Sequence, residues 1–263
     1  MDGSKDGRMG GWAVGLCGVA LVGAVAFLPI RPSAHPPVDI HSEYVKYVSG
    51  KDTITAYLAY PERPQPAPGV IVIHEIFGQS DFIRQTTEQL AKDGFVAIAP
   101  DLLSHRGGTP ATPDSARKLI ATLNPDTLTM DLDATRNFLN KNKAVRSGQI
   151  GVIGFCWGGG QSFRYATNAP GLKAFVVCYG PAPNPGDMAK IRAKGLGVYA
   201  ENDARIDAGL PDATAAMKAA GKNYPYTIYP GVGHGFLRSR EKPEVADSAW
   251  SAIIRHFRAN LKS

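Results

Sequence analysis

A chain of 263 residues is long enough for one large α/β domain with a substantial core. Its hydrophobic and charged fractions, 44% and 20%, are those of an ordinary globular protein and exclude a fibrous or highly charged disordered chain. The net charge of +6 is spread without a long basic block, so no nucleic-acid partner is indicated, although a positive field assists an anionic substrate.

The N-terminus differs from everything after it. Lys5 and Arg8 precede an uncharged apolar run from Trp12 to Ile30. As a helix that run reaches about 28 Å, close to the hydrocarbon thickness of a bilayer. Ala24-Val25-Ala26 supplies the small residues of a cleavage site, with Trp12–Gly23 as the apolar region before it, while Asp2 and Asp6 dilute the positive end. Residues 1–34 are therefore expected to be a signal peptide or an N-terminal membrane anchor. Either places the protein outside the cytoplasm, in the second case tethered by residues 12–30. Residues 35–263 are expected to form a single domain.

Within that domain, Tyr44–Val48 and Thr53–Tyr60 read as strands joined by a turn at Gly50, an antiparallel hairpin. A proline-rich loop, Pro61–Gly69, follows. Apolar runs at Val70–His74, Phe95–Ala99, Ile150–Phe155, Lys173–Tyr179, Leu196–Ala200 and Tyr226–Tyr229 then read as strands. Helical patterns occupy Phe82–Asp93, Thr127–Asn142, Gly158–Thr167, Asp207–Ala220 and Val245–Leu261. Strand and helix alternate, which predicts an α/β fold: a mostly parallel sheet covered by helices on both faces, with the hairpin at its start.

Such sheets bind ligands beyond the carboxyl ends of their strands, so chemistry is sought in the residues just after each apolar run. Ile150–Gly160, IGVIGFCWGGG, ends a strand in a GxCxG turn that presents Cys156. Gly154 and Gly158 allow a sharp bend without Cβ clashes, and the start of the next helix favours a thiolate. A sulfur nucleophile needs a base, and the base an orienting carboxylate. His234 in PGVGHGF follows the last strand, and Asp203 follows the strand ending at Ala200. Asp207 and Asp212 compete with Asp203 but suit capping and the exposed face of a helix. Cys178 sits in an apolar run and reads as core. No metal or other cofactor is expected, because the histidines lack HExxH spacing and the cysteines lack ligand-type pairing.

VIVIHEIFG at Val70–Gly78, GFCWGG at the elbow, AENDARI around Asp203 and PGVGHGF around His234 together resemble the dienelactone hydrolase family, over Tyr44–Leu261. The resemblance implies an α/β-hydrolase fold and a catalytic triad of Cys156, Asp203 and His234. It also implies a role for Glu75 in helping the thiol shed its proton when substrate binds. Read without it, a carboxylate directly after a buried strand is costly unless functional or paired, with Arg84 or Arg106 as the candidate partners. Backbone N–H groups of Ile76 and Trp157 are expected to form the oxyanion hole. The family places a substrate-binding arginine after the second parallel strand, where PDLLSHRGG here offers His105, with Arg106 displaced by one. Phe77, Trp157, Tyr179 and Phe236 are pocket candidates, or simply core.

The implied reaction is carboxymethylenebutenolidase-like: hydrolysis of a small lactone or activated ester through a thioester. Thiolates attack such carbonyls readily and leave readily. A glutamine amidotransferase-like reading is disfavoured by Trp157, since several members of that group carry histidine directly after the cysteine. The remaining alternative is an exported, non-catalytic binding or scaffold protein on the same fold.

Overall fold

The computed structural model describes residues 39–262, so the expected signal or anchor in residues 1–34 lies outside the described residues. Eight strands form one sheet: β1 (Ile40–Ser49), β2 (Asp52–Pro61), β3 (Ala67–Ile73), β4 (Val96–Pro100), β5 (Val145–Phe155), β6 (Ala174–Cys178), β7 (Lys194–Asn202) and β8 (Tyr226–Gly233). Their spatial order is β1-β2-β4-β3-β5-β6-β7-β8. β1 pairs antiparallel with β2, and β2 antiparallel with β4, while the remaining pairings are parallel. The hairpin therefore extends one edge of a parallel sheet, as the alternation of runs predicted.

Eight α-helices are described: α1 (Asp81–Lys92), α2 (Pro113–Ile120), α3 (Pro125–Lys141), α4 (Trp157–Asn168), α5 (Ala204–Asp207), α6 (Leu210–Ala219), α7 (Phe236–Ser239) and α8 (Pro243–Asn260). Strand side chains alternate between the two faces. Ile71 and Ile73 of β3 join the core shared with α3, α4 and α6, whereas Val70 and Val72 join the core shared with α1 and α8. Both faces of the sheet are thus sealed, which is why its central strands are continuous apolar runs.

Two helices depart from the sequence reading. α2 was not anticipated. It opens with Thr112, whose side chain accepts the Ser115 N–H, and with Pro113 in its first turn. The helix expected over Asp207–Ala220 is divided into α5 and α6, because Pro211 lacks the N–H needed to continue a helical ladder and instead begins a new one.

The order of strands decides where a site can form. The chain moves from β3 to β4 on one side, then returns to the other side of β3 as β5. Connections diverge there, leaving a crevice at the carboxyl ends of β3 and β5. Glu75 follows β3 and Cys156 follows β5.

Candidate active site

Cys156 sits between β5 and α4 with φ 56° and ψ −119°, a conformation that L-residues rarely adopt. Surrounding structure holds the bend. A Cβ on Gly154 would lie 1.9 Å from the Gly158 carbonyl oxygen, and one on Gly158 would lie 2.3 Å from that of His74. Only glycine permits α4 to approach β5 and the β3 exit loop this closely. The Cys156 N–H donates to the Cys178 carbonyl at 3.0 Å, pinning the elbow to β6. Backbone strain of this kind, of order 1–3 kcal/mol, persists where its surroundings over-determine it.

The elbow leaves the Cys156 side chain partly accessible and Cys178 fully buried. Burial pushes the Cys178 thiol well above the ordinary range, so it is held neutral as a core group.

His234 follows β8. Its Nδ1 is 2.5 Å from Oδ2 of Asp203, which follows β7 and is 8% exposed. The imidazole is pushed up to about 9. Interaction with Cys156 is the largest cause; partial burial acts against it, and Asp203 adds to the rise. Among the described residues no hydrogen bond of full geometry joins Sγ to the ring, so the two groups are neighbours rather than already locked together. With Nδ1 committed to the carboxylate, Nε2 is the nitrogen left for chemistry. Behind the ring stands Tyr179, its centroid 5.0 Å away and edge-on. Phe236 packs in turn on Tyr179 and Tyr229.

The exit of β3 is tied down by His74, which is fully buried. Its Nε2 accepts the Leu102 N–H at 3.3 Å, so Nδ1 carries the proton and donates to the Glu75 carbonyl at 2.7 Å. The ring also stacks on Trp157, with centroids 5.5 Å apart. Burial lowers its pKa, keeping the imidazole neutral. Thr109 braces the same loop, accepting the Gln79 N–H while its own hydroxyl donates to Asp101. The N–H groups of Ile76 and Trp157 have no partner among the described residues, and Trp157 opens α4, where helical N–H groups are free by geometry. Two unspent donors thus flank the elbow.

Glu75 is 1% exposed, and burial raises its pKa, opposed by Arg238 and His234. Its counter-ion is Arg238 of α7, whose Nε lies 3.0 Å from Oε2. That N–H does not point at the oxygen, which is left without a hydrogen bond, so the contact is Coulombic attraction without full hydrogen-bond compensation. The sequence had suggested Arg84 or Arg106 instead. Arg84 is spent on Asp81 and the Gln79 carbonyl.

His105 and Arg106 belong to the segment that leaves β4. They lie in a short helical turn, Ser104–Arg106, beyond β4, which β3 separates from β5. Both His105 ring nitrogens are engaged, Nδ1 with Asp52 and Nε2 with Asp131, each at 2.8 Å. This imidazole has no nitrogen to offer a ligand. Arg106 is exposed and makes no ion pair among the described residues. The guanidinium groups that approach the site are instead Arg238 and Arg117, at 5.2 Å and 5.9 Å from the ring centroid of Phe77. Phe77 therefore stands beside the counter-ion of Glu75. Phe236 is 1% exposed, packed against Tyr179 and Tyr229.

Arg238 was the residue missed. It lies four positions after His234, in the short helix α7 that the loop after β8 enters.

A model of the dienelactone hydrolase family matches residues 54–261. A protein of Methylorubrum extorquens named "Putative carboxymethylenebutenolidase" is 33% identical over 236 residues, covering 81% of this chain and 79% of its own. A protein of the same name from Saccharolobus solfataricus is 32% identical, covering 81% of this chain and 96% of its own. Among solved structures, one titled as a putative dienelactone hydrolase of Klebsiella pneumoniae superposes with a TM-score of 0.76 at 28% identity, covering 83% of this chain and 98% of the other.

Proposed function

This chain belongs to the dienelactone hydrolase family, and from that premise we propose that it hydrolyses a small lactone or activated carboxylic ester by cysteine catalysis through a thioester. The observation that carries the reading is a cysteine held at positive φ beside an imidazole whose other nitrogen is bound to a buried aspartate.

In the first half of the reaction Cys156 gives its proton to Nε2 of His234, and the imidazolium is stabilised by the thiolate and by Asp203. Sulfur attacks the substrate carbonyl carbon, and the oxyanion settles between the N–H groups of Ile76 and Trp157. Collapse breaks the carbon–oxygen bond. His234 returns the proton to the departing oxygen, which stays tethered to the acyl group when the substrate is a lactone. In the second half neutral His234 takes a proton from water, hydroxide attacks the thioester, and the carboxylic acid leaves with restoration of the thiol.

Glu75 supplies a second place for the thiol proton. An anionic substrate group drawn to Arg238 removes the charge that holds Glu75 ionised, and burial then favours the protonated acid. This favours substrates with a carboxylate near the scissile bond. The export or anchoring of the domain by residues 1–34 remains part of the proposal and is checked by fractionation together with the N-terminal mass of the mature protein.

Hydrolysis of p-nitrophenyl acetate tests the reading. Residues 39–263 are expected to turn over this ester, Cys156→Ala to lose at least about 10²-fold in rate, and Cys178→Ala to retain it. Equal activity in wild type and Cys156→Ala would leave the non-catalytic scaffold reading.

A further inference from the structure

Helix and strand direction together separate charge along this molecule. In a parallel sheet the helices that follow the strands run back against them, so first turns lie at the carboxyl ends of the strands and last turns at the amino ends. Acidic residues open α1, α3, α6 and α8 at Asp81, Asp126, Asp212 and Glu244, and basic residues close them at Lys92, Lys141, Lys218 and Arg258. That arrangement complements the helix dipoles and needs no partner.

The loops at the amino end carry cations beyond that need. Lys143 and Arg146 flank the start of β5, Lys173 directly precedes β6, Arg192 and Lys194 mark the start of β7, and Lys222 precedes β8. All are exposed except the half-buried Lys222, and none of them makes an ion pair among the described residues. β5, β6, β7 and β8 are neighbours in that order, so these bases occupy strand starts spanning about 15 Å. The Lys194 N–H donates to the Lys173 carbonyl at 2.9 Å, which sets those two residues side by side. Acidic groups at this end, Asp39, Glu62 and Asp93, lie toward β1, β2 and β4 instead. Cations that are scattered along the sequence are thus gathered by the topology onto one face.

The same end receives the chain. β1 is antiparallel to β2 and β2 to β4, so Ile40 lies with the amino ends of the parallel strands. Residues 31–39 connect the apolar run Trp12–Ile30 to β1 and reach at most about 30 Å when fully extended. A run retained in a bilayer keeps this end of the sheet, and not the elbow, next to lipid.

We propose that the amino end of the sheet, over β5 to β8, is a membrane-docking face: its lysines and arginines bind the headgroups of anionic phospholipids and turn the Cys156 elbow, at the opposite end, toward water. Each basic residue close to an anionic bilayer strengthens binding about fivefold, and the attraction fades within a Debye length. Duplex nucleic acid offers the same charge but gives no role to the apolar run that leads into this end. The setting rests on the proposed export or anchoring by residues 1–34, whereas lipid binding by the domain does not.

All eight strands and both cores lie within residues 39–262, so residues 39–263 are tested by themselves. Vesicles of phosphatidylcholine with about one-third phosphatidylglycerol are expected to sediment the protein at low salt and to release it at about 0.5 M NaCl, where the Debye length is about 4 Å. Phosphatidylcholine alone should not bind it. The triple variant Lys143→Gln, Arg146→Gln, Lys173→Gln should bind the anionic vesicles at least about thirtyfold more weakly. An equal loss of charge away from that end, Lys46→Gln, Lys51→Gln, Lys118→Gln, should change binding by less than about threefold. Cys156 on bound protein should react with a water-soluble maleimide as fast as in free protein, Cys178 being buried. No capture by anionic vesicles, equal weakening by the two triple variants, tighter binding of duplex DNA at equal anionic charge, or strong protection of Cys156 overturns the docking face. Fractionation of the full chain reads residues 1–34 separately, so failure of the docking face and failure of the anchoring reading are told apart.

Discussion

His105 and His234 are both hydrogen-bonded to carboxylates, and only one of them keeps a nitrogen in reserve. His105 is gripped at both ring nitrogens, by Asp52 at the start of β2 and by Asp131 of α3, which is fully buried and also accepts a hydrogen bond from Ser49 at 2.6 Å. His234 is gripped at Nδ1 alone, and its remaining nitrogen faces the elbow cysteine. The residue types are the same; what differs is whether hydrogen-bonding capacity is saturated. A saturated imidazole ties three segments together and can do nothing else. An unsaturated one is oriented by its aspartate and left with a valence to spend on a reaction.

The sharpest test of that contrast removes each imidazole in turn. His234→Gln should lower kcat/KM for p-nitrophenyl acetate by about 10²- to 10⁴-fold, the range for loss of a general acid–base. Retained activity in a folded His234→Gln protein would break the distinction.

Glu75→Gln comes next. The amide keeps the shape but cannot take a proton, so kcat should fall by about 10- to 10²-fold. Were Glu75 no more than an anchor for Arg238, KM alone would move.

His105→Leu should reverse the pattern. It strands the Asp131 carboxylate in the interior with one remaining side-chain donor, costing about 2–3 kcal/mol of stability, while kcat/KM stays within about threefold. Urea denaturation paired with initial rates reads both quantities. A large loss of activity at unchanged stability would move His105 into the chemistry after all.

The unequal legibility of these two sites in the sequence has a physical basis. Each member of the Cys156, Asp203, His234 set directly follows a strand of a parallel sheet, so local apolar runs and the carboxyl-end rule were enough to find them. The two glycines that bend the elbow announce themselves in the same way. The partners of His105 follow no such rule: Asp52 and Asp131 lie 53 and 26 residues away along the chain, joined to it only by tertiary packing. With no sign of that bond, His105 read as a ligand-binding residue. Helix α2 carries a strong start signal in Thr112-Pro113 but a thin apolar stripe, with only Ala116 and Ile120 buried in it. Missing α2 also hid Arg117, and the short α7 hid Arg238, the cation on which Glu75 depends.

The smallest expected effect is also the most specific to the elbow. His234 is raised to about 9, with Cys156 as the leading cause, so Cys156→Ala should bring its pKa back toward the ordinary value near 6.5, leaving only Asp203 to oppose burial. Histidine NMR titration reads this directly. His105 is an internal control: burial would depress it, but Asp131 and Asp52 outweigh burial and raise it, independently of the cysteine. The linkage has a definite sign. A folded pKa above the unfolded one contributes stability that is fully present below about pH 6.5 and lost as pH rises through about 9. Cys156→Ala should therefore flatten the stability profile across that window while the His105 resonance titrates as before. Identical His234 midpoints in the two proteins would mean that sulfur and imidazole do not interact, and the contrast between a saturated and an unsaturated histidine would lose its chemical content.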